Sequence, residues 1–166
     1  GAVMGKKKLK AVAIVGGTKP LPVADPRGLF SVADEIAHDL KSDPSARSLY
    51  EYGTLPGLLN LHKLGVLPIK NYQTNVAPAG EDLSLWEAPA LREAFDHRGH
   101  QCNACGMRHC HMQLIPSGPH AGEIVDEPEY EGWASAGWTI GLTDRVAISW
   151  LNTQIDRACV DVNEFG

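Results

Sequence analysis

The sequence predicts a mainly α-helical protein, α+β overall, with one short β segment ahead of a helical body. Three features carry that prediction. Apolar residues recur at helical spacing after Asp25, Gly57, Ser84 and Asp144, helix-start residues precede those runs, and a β-branched run closed by glycines lies at residues 9–15. With 166 residues, 43% hydrophobic and 21% charged, the chain can bury the core of one domain or slightly more.

Leu9 to Val15 reads as a strand ending at Gly16-Gly17, the tail of a β-rich layer. Asp25 followed by Pro26 is an N-cap with proline at the first helical position, and Leu29, Val32, Ala33, Ile36, Ala37 and Leu40 supply one apolar stripe. A second helix is expected from Gly53–Gly57 over Leu58, Leu59, Leu61, His62 and Leu64, stopped by Gly65. Residues 66–82, rich in Pro, Asn, Gly and Ala, predict a long irregular loop. Ser84 with Glu87 matches a capping box and predicts a helix through Trp86, Leu91, Ala94 and Phe95 down to the cysteines. A second loop is expected over 114–128, and a last helix from Asp144, capped by Thr143, through Val146, Ile148, Leu151 and Ile155.

A formal charge of −5 argues against a protein that grips nucleic acid, since phosphate neutralisation needs a basic face. No apolar run approaches the roughly 20 residues needed to span a bilayer, and no signal peptide opens the chain, so no transmembrane segment and a cytoplasmic location are expected. Both ends read as cuts through a longer protein.

The group Cys102-x2-Cys105-x4-Cys110 is the strongest local signal. Two thiolates on a turn can bind one metal centre and a third can close its face. A [4Fe–4S] cube needs a fourth ligand, either outside this chain or one of His100, His109 and His111. The competing readings are a structural zinc site and three buried unliganded thiols. Glu93 and His97, four residues apart on the expected helix, read as a proton-donor pair or as a solvated helix pair. In Glu127-Pro-Glu129-Tyr130-Glu131, Glu127 and Glu129 read as a solvated acidic turn, while a carboxylate at the entry to the apolar segment Gly132–Trp138 can be half buried. Asp156-Arg-Ala-Cys159-Val-Asp161 can address a polar ligand or a metal, with Cys159 as a buried small side chain in the plain reading.

Taken in order, Gly1–Lys6 with Leu9–Ala11, Tyr52–Thr54, Gly65–Thr74, the cysteine group, Pro128–Glu131 and Asp156–Asp161 resemble the tungsten-containing aldehyde:ferredoxin oxidoreductase family. The resemblance implies the helical middle domain of that fold over 23–166, with 1–22 as the end of a preceding β-rich pterin-binding domain. It implies a [4Fe–4S] cluster on Cys102, Cys105 and Cys110, and a tungsten (or molybdenum) bis-pterin contacted by Asp156 and Asp161. It further implies Mg2+ bridging pterin phosphates and an active-site role for Glu131. Two departures stand out. The family spaces its cysteines x2 and x3, so His109 competes with Cys110 for the third position, and Cys159 replaces the glycine of the pattern Asp-x-x-Gly-Leu-Asp.

A thiolate beside the pterin resembles the tungsten subunit of ATP-independent (class II) benzoyl-CoA reductases. In that reading Cys159 ligates the metal, Glu93 and His97 donate protons, and an aryl-CoA ring is reduced to a cyclic dienoyl-CoA. The partners implied are a ferredoxin or an Fe–S electron-transfer subunit in a hetero-oligomer. The alternatives are an aldehyde oxidoreductase of the same family and a non-catalytic zinc module.

Overall fold

The computed structural model describes residues 2–103 and 105–166; Gly1 and Ala104 lie outside that description. A short helix α1 (Ala2–Lys6) opens the chain, and residues 9–25 then run without regular structure. The strand expected over 9–15 is therefore not formed. β-Branched residues favour extended backbone, but a strand is completed by ladder hydrogen bonds from a neighbour. No neighbour lies alongside among the described residues, and Ile14 and Val15 are fully exposed.

Helix α2 (Pro26–Ser42) starts where expected, with the Asp25 carboxylate accepting from the Gly28 N–H at 3.0 Å. Its apolar stripe stays uncovered: Leu29, Val32 and Ile36 are all more than half exposed. A second Asp-Pro start at Asp43-Pro44 opens α3 (Pro44–Tyr52), a helix that the apolar spacing alone does not reveal. Helix α4 (Gly57–Lys63) follows, and Gly65, at φ 70°, terminates it as expected, its N–H bonding to the His62 carbonyl. The loop after it is pinned by one bridge, Ile69 to Thr74.

The capping box at Ser84 is not used. Asp82 caps a 3-10 turn over Leu83–Trp86, accepting from the Ser84 N–H and hydroxyl, and Glu87-Ala88-Pro89 restarts the chain as α5 (Ala88–Glu93). Proline at a helix start is pre-organised, whereas inside a helix it removes a bond and clashes, so Pro89 divides the expected single helix in two. After Phe95 the chain is a strand, β1 (Asp96–Gly99), paired antiparallel with β2 (His111–Leu114), which in turn pairs with β3 (Ile124–Asp126). The expected loop over 114–128 is thus partly a hairpin, and Glu93 and His97 do not share a helix.

Helices α6 (Tyr130–Ser135), α7 (Arg145–Arg157) and α8 (Val162–Phe165) complete the chain. Asp144 rather than Thr143 caps α7, accepting from the Val146 and Ala147 N–H groups. The core lies where α4, α5, α6 and α7 meet the sheet. Three buried indoles centre it, Trp86 standing edge-on to Trp138 at 4.9 Å and to Trp133 at 6.0 Å. Gly132 lets α6 approach α7, since a Cβ there would sit 2.5 Å from Asn152 Oδ1.

Candidate metal and cofactor site

The cysteines sit on the loop that joins β1 to β2. The ladder runs to Gly99 opposite His111, and the His100 N–H closes it on the Cys110 carbonyl at 2.8 Å. The Cys105 N–H turns back onto the Cys102 carbonyl at 3.1 Å, and the N–H groups of Arg108 and Met107 hold the Cys105 thiol below the usual thiol range. Cys110 is half-buried, and burial pushes its thiol up, helped by Glu129, Cys102, Asp126 and Cys105. A thiol surrounded by negative groups becomes a thiolate most readily when a cation neutralises the set. All these thiols are free.

Two ligand sets overlap here. Among the described residues, His109, Cys110 and Glu129 alone place donor atoms within 4.8 Å of one another, as a single ion requires. A cubane takes its thiolates at different corners, so a cluster does not require its cysteines to share a point. His109 Nε2 lies 3.1 Å from Glu129 Oε1 and 3.7 Å from Cys110 Sγ, which commits the imidazole to the carboxylate.

Beside the loop opens a cleft of about 380 Å³ whose walls include Cys110, Glu131 and Asp156. Glu131 stands in the first turn of α6, with Oε2 buried and without a partner, and His109 Nδ1 is buried and unpartnered in the same way. Burial, with Asp126 close by, pushes the Asp156 carboxyl up. Unpaired buried polar atoms cost free energy unless a ligand satisfies them. The cleft therefore fits a polar ligand carrying hydrogen-bond donors or a cation, such as a pterin with its metal.

Under the loop lies a buried polar network. Arg92, reaching from α5, holds Glu127 through Nε–Oε1 at 2.7 Å and Nη2–Oε2 at 2.9 Å, and donates to the Glu51 carbonyl of α3 at 2.8 Å. Gln113 donates to Glu127 and accepts from Ser149 of α7. Glu127 is therefore no solvated turn residue: its side chain is 6% exposed, and burial pushes its carboxyl up while Arg92 draws it down. Glu129, at 48% exposed, meets His109 and the Thr54 hydroxyl.

The family model for aldehyde ferredoxin oxidoreductase, domains 2 and 3, matches residues 31–166. The chain belongs to the aldehyde ferredoxin oxidoreductase family. It is 33% identical over its full length to a tungsten-containing aldehyde ferredoxin oxidoreductase of Pyrococcus furiosus, and 32% identical to that of Thermococcus kodakarensis. It is also 29% identical, over 97% of its length, to the WOR-like subunit of an aliphatic sulfonate oxidoreductase of Pyrococcus furiosus. The chain spans about a quarter of the length of these relatives, 26% of the first two and 25% of the third.

Within this chain, the predicted residues divide into two groups. Cys110, Glu131 and Asp156 line one cleft, with Cys102 and Cys105 on the adjoining loop. Cys159, Asp161, Glu93 and His97 do not line it. Cys159 is exposed rather than buried, at φ 59°, in the turn that ends α7; its N–H bonds to the Asp156 carbonyl and the Val160 N–H to Ile155. That is the Schellman geometry in which glycine is favoured, which accounts for the glycine of the family pattern. Asp161 caps α8 through the Asn163 N–H at 2.8 Å. Glu93 ends α5 exposed, and His97 on β1 turns Nδ1 to the Phe95 carbonyl at 3.2 Å and packs edge-on against His111.

Arg92, Gln113 and Asn152 gave no sequence signal, and His111 signalled only as a candidate cluster ligand. Their partners are tens of residues away, and no motif or period links them.

Proposed function

We propose that this chain is the cluster-bearing part of a tungsten-dependent oxidoreductase that oxidises aldehydes to carboxylic acids and delivers the electrons to a ferredoxin. The carrying observation is the Glu131 carboxylate, with a buried unpartnered oxygen, in a cleft shared with Cys110 and Asp156. The names of two relatives support the same substrate and acceptor.

In this reading Cys102, Cys105 and Cys110 hold a [4Fe–4S] cluster, and Asp156 contacts a pterin of the tungsten cofactor. The cofactor supplies the two-electron chemistry and the cluster a one-electron relay. Glu131, held in the first turn of α6 on the wall of the cleft, takes or returns a proton at its unpartnered oxygen. The Cys105 thiolate is stabilised by the amides of the 106–108 turn, and His109 is held aside by Glu129, leaving Cys110 as the third ligand.

A second reading, reduction of an aryl-CoA ring to a cyclic dienoyl-CoA, rests on one observation. A thiol stands where the family pattern has glycine, at a left-handed position that tolerates a side chain poorly. Cys159 would then ligate the metal. Its exposed position outside the cleft among the described residues favours the aldehyde reading.

The test is metal analysis of the full-length protein for W, Mo, Fe and Zn, with turnover of aldehydes against aryl-CoA thioesters. Tungsten with about four iron atoms and aldehyde oxidation supports the proposal. Ring reduction that is lost in Cys159→Ser supports the second reading, and zinc without iron or tungsten refutes both.

A further inference from the structure

We propose that Arg92, acting through the His111 imidazole, is the positioning residue that fixes the cysteine loop against the cleft. A guanidinium has donors and no acceptor, so the 3.3 Å contact of Arg92 Nη1 with His111 Nε2 makes Nε2 the acceptor. The ring proton then resides on Nδ1, which donates to the His109 carbonyl at 2.9 Å, one residue before Cys110. The same guanidinium grips Glu127 with both oxygens, and the Glu127 N–H returns to the His111 carbonyl at 2.9 Å. Two residues further on, Glu129 meets the His109 ring. One buried arginine thus ties α3, the end of the cysteine loop and the segment leading to Glu131 into a single body. Hydrogen bonds that orient the residues flanking a metal ligand tune the metal's properties and its retention.

The inference rests on the cluster reading above, and the experiment separates the two. Full-length holoenzyme is compared with His111→Asn, which keeps a donor near the Nδ1 position, with His111→Gln, which offers Arg92 an acceptor but lacks that donor, and with Arg92→Lys, which keeps the charge and loses the fork. Three readouts are taken: the EPR spectrum of the reduced cluster, its half-life under chelator, and hydrogen exchange over residues 100–111. We expect His111→Asn, which keeps the donor to the His109 carbonyl but loses the acceptor that Arg92 meets, to be disturbed, though less than His111→Gln. His111→Gln and Arg92→Lys should show moved g values, at least threefold faster cluster loss and at least tenfold faster exchange in that segment, with the rest of the protein unchanged. Wild-type behaviour in His111→Gln, or equal disturbance in His111→Asn and His111→Gln, overturns the proposal. Unchanged spectra and exchange in Arg92→Lys overturn the part assigned to arginine. A wild-type protein without iron refutes the cluster reading alone, and the exchange comparison still decides the positioning role.

Discussion

Arg92 and Glu127 meet through two parallel N–H···O bonds of 2.7 and 2.9 Å, with side chains only 9% and 6% exposed. Removing one partner from such a pair leaves a buried charge alone, which costs about 3–5 kcal/mol. Arg92→Met and Glu127→Leu are each expected to destabilise the protein by about that amount in denaturant unfolding. The double variant should recover most of the loss. A double variant as unstable as the sum of the singles would show that the pair's other contacts dominate.

Cys159→Gly should stabilise the protein. The left-handed conformation costs a residue with Cβ roughly 1–2 kcal/mol, which glycine does not incur. The Cys159→Ala variant keeps the Cβ and should give no such gain. If Cys159 instead binds metal, Cys159→Gly lowers the thermal midpoint of the holoprotein and reduces its tungsten content.

Asp144→Ala removes the cap that accepts from two N–H groups at the start of α7, at an expected cost of about 1 kcal/mol. The helix carries Asn152 and Asp156 to the cleft, so circular dichroism and cofactor content are both worth measuring. Asp144→Ser should restore most of the stability.

The Asp156 carboxyl titrates above its ordinary range because burial and Asp126 disfavour its charge. The folded state then binds more protons than the unfolded state once pH rises above about 4, so this group's favourable contribution is lost as pH rises through its folded value. Asp156→Asn should flatten that part of the stability profile and leave metal-free protein more stable at pH 7. With the cofactor bound, the same change should weaken retention, measured as pterin and tungsten per chain.

Gly132→Ala would place a Cβ 2.5 Å from Asn152 Oδ1 and 2.9 Å from the Pro128 Cβ. Forcing α6 from α7 is expected to cost about 1–3 kcal/mol. Because Glu131 precedes this glycine, the pH dependence of turnover should move as well; an unchanged pH profile would show that the cleft absorbs the shift.

Local chemistry made part of the fold legible. Asp25-Pro26, Gly65 and Asp144 announce helix boundaries because caps and stops act over three or four residues, and α2, α4 and α7 follow. The Ser84 capping box misled because Asp82, two residues earlier, competes for the same N–H and Pro89 restarts the helix. The sheet was not legible, since β1 is short and polar and carries no alternation.

The sequence by itself determined the family, because motifs in order along a chain keep their meaning before folding, and it nominated the cysteine loop and the carboxylates Glu131 and Asp156 as site residues. Only the tertiary structure decided that Glu127 is buried against Arg92, that His109 faces Glu129, and that Cys159 stands outside the cleft. Those facts depend on pairs separated by 20 or 35 residues, or on the sign of one backbone angle. Neither leaves a periodic trace in the chain.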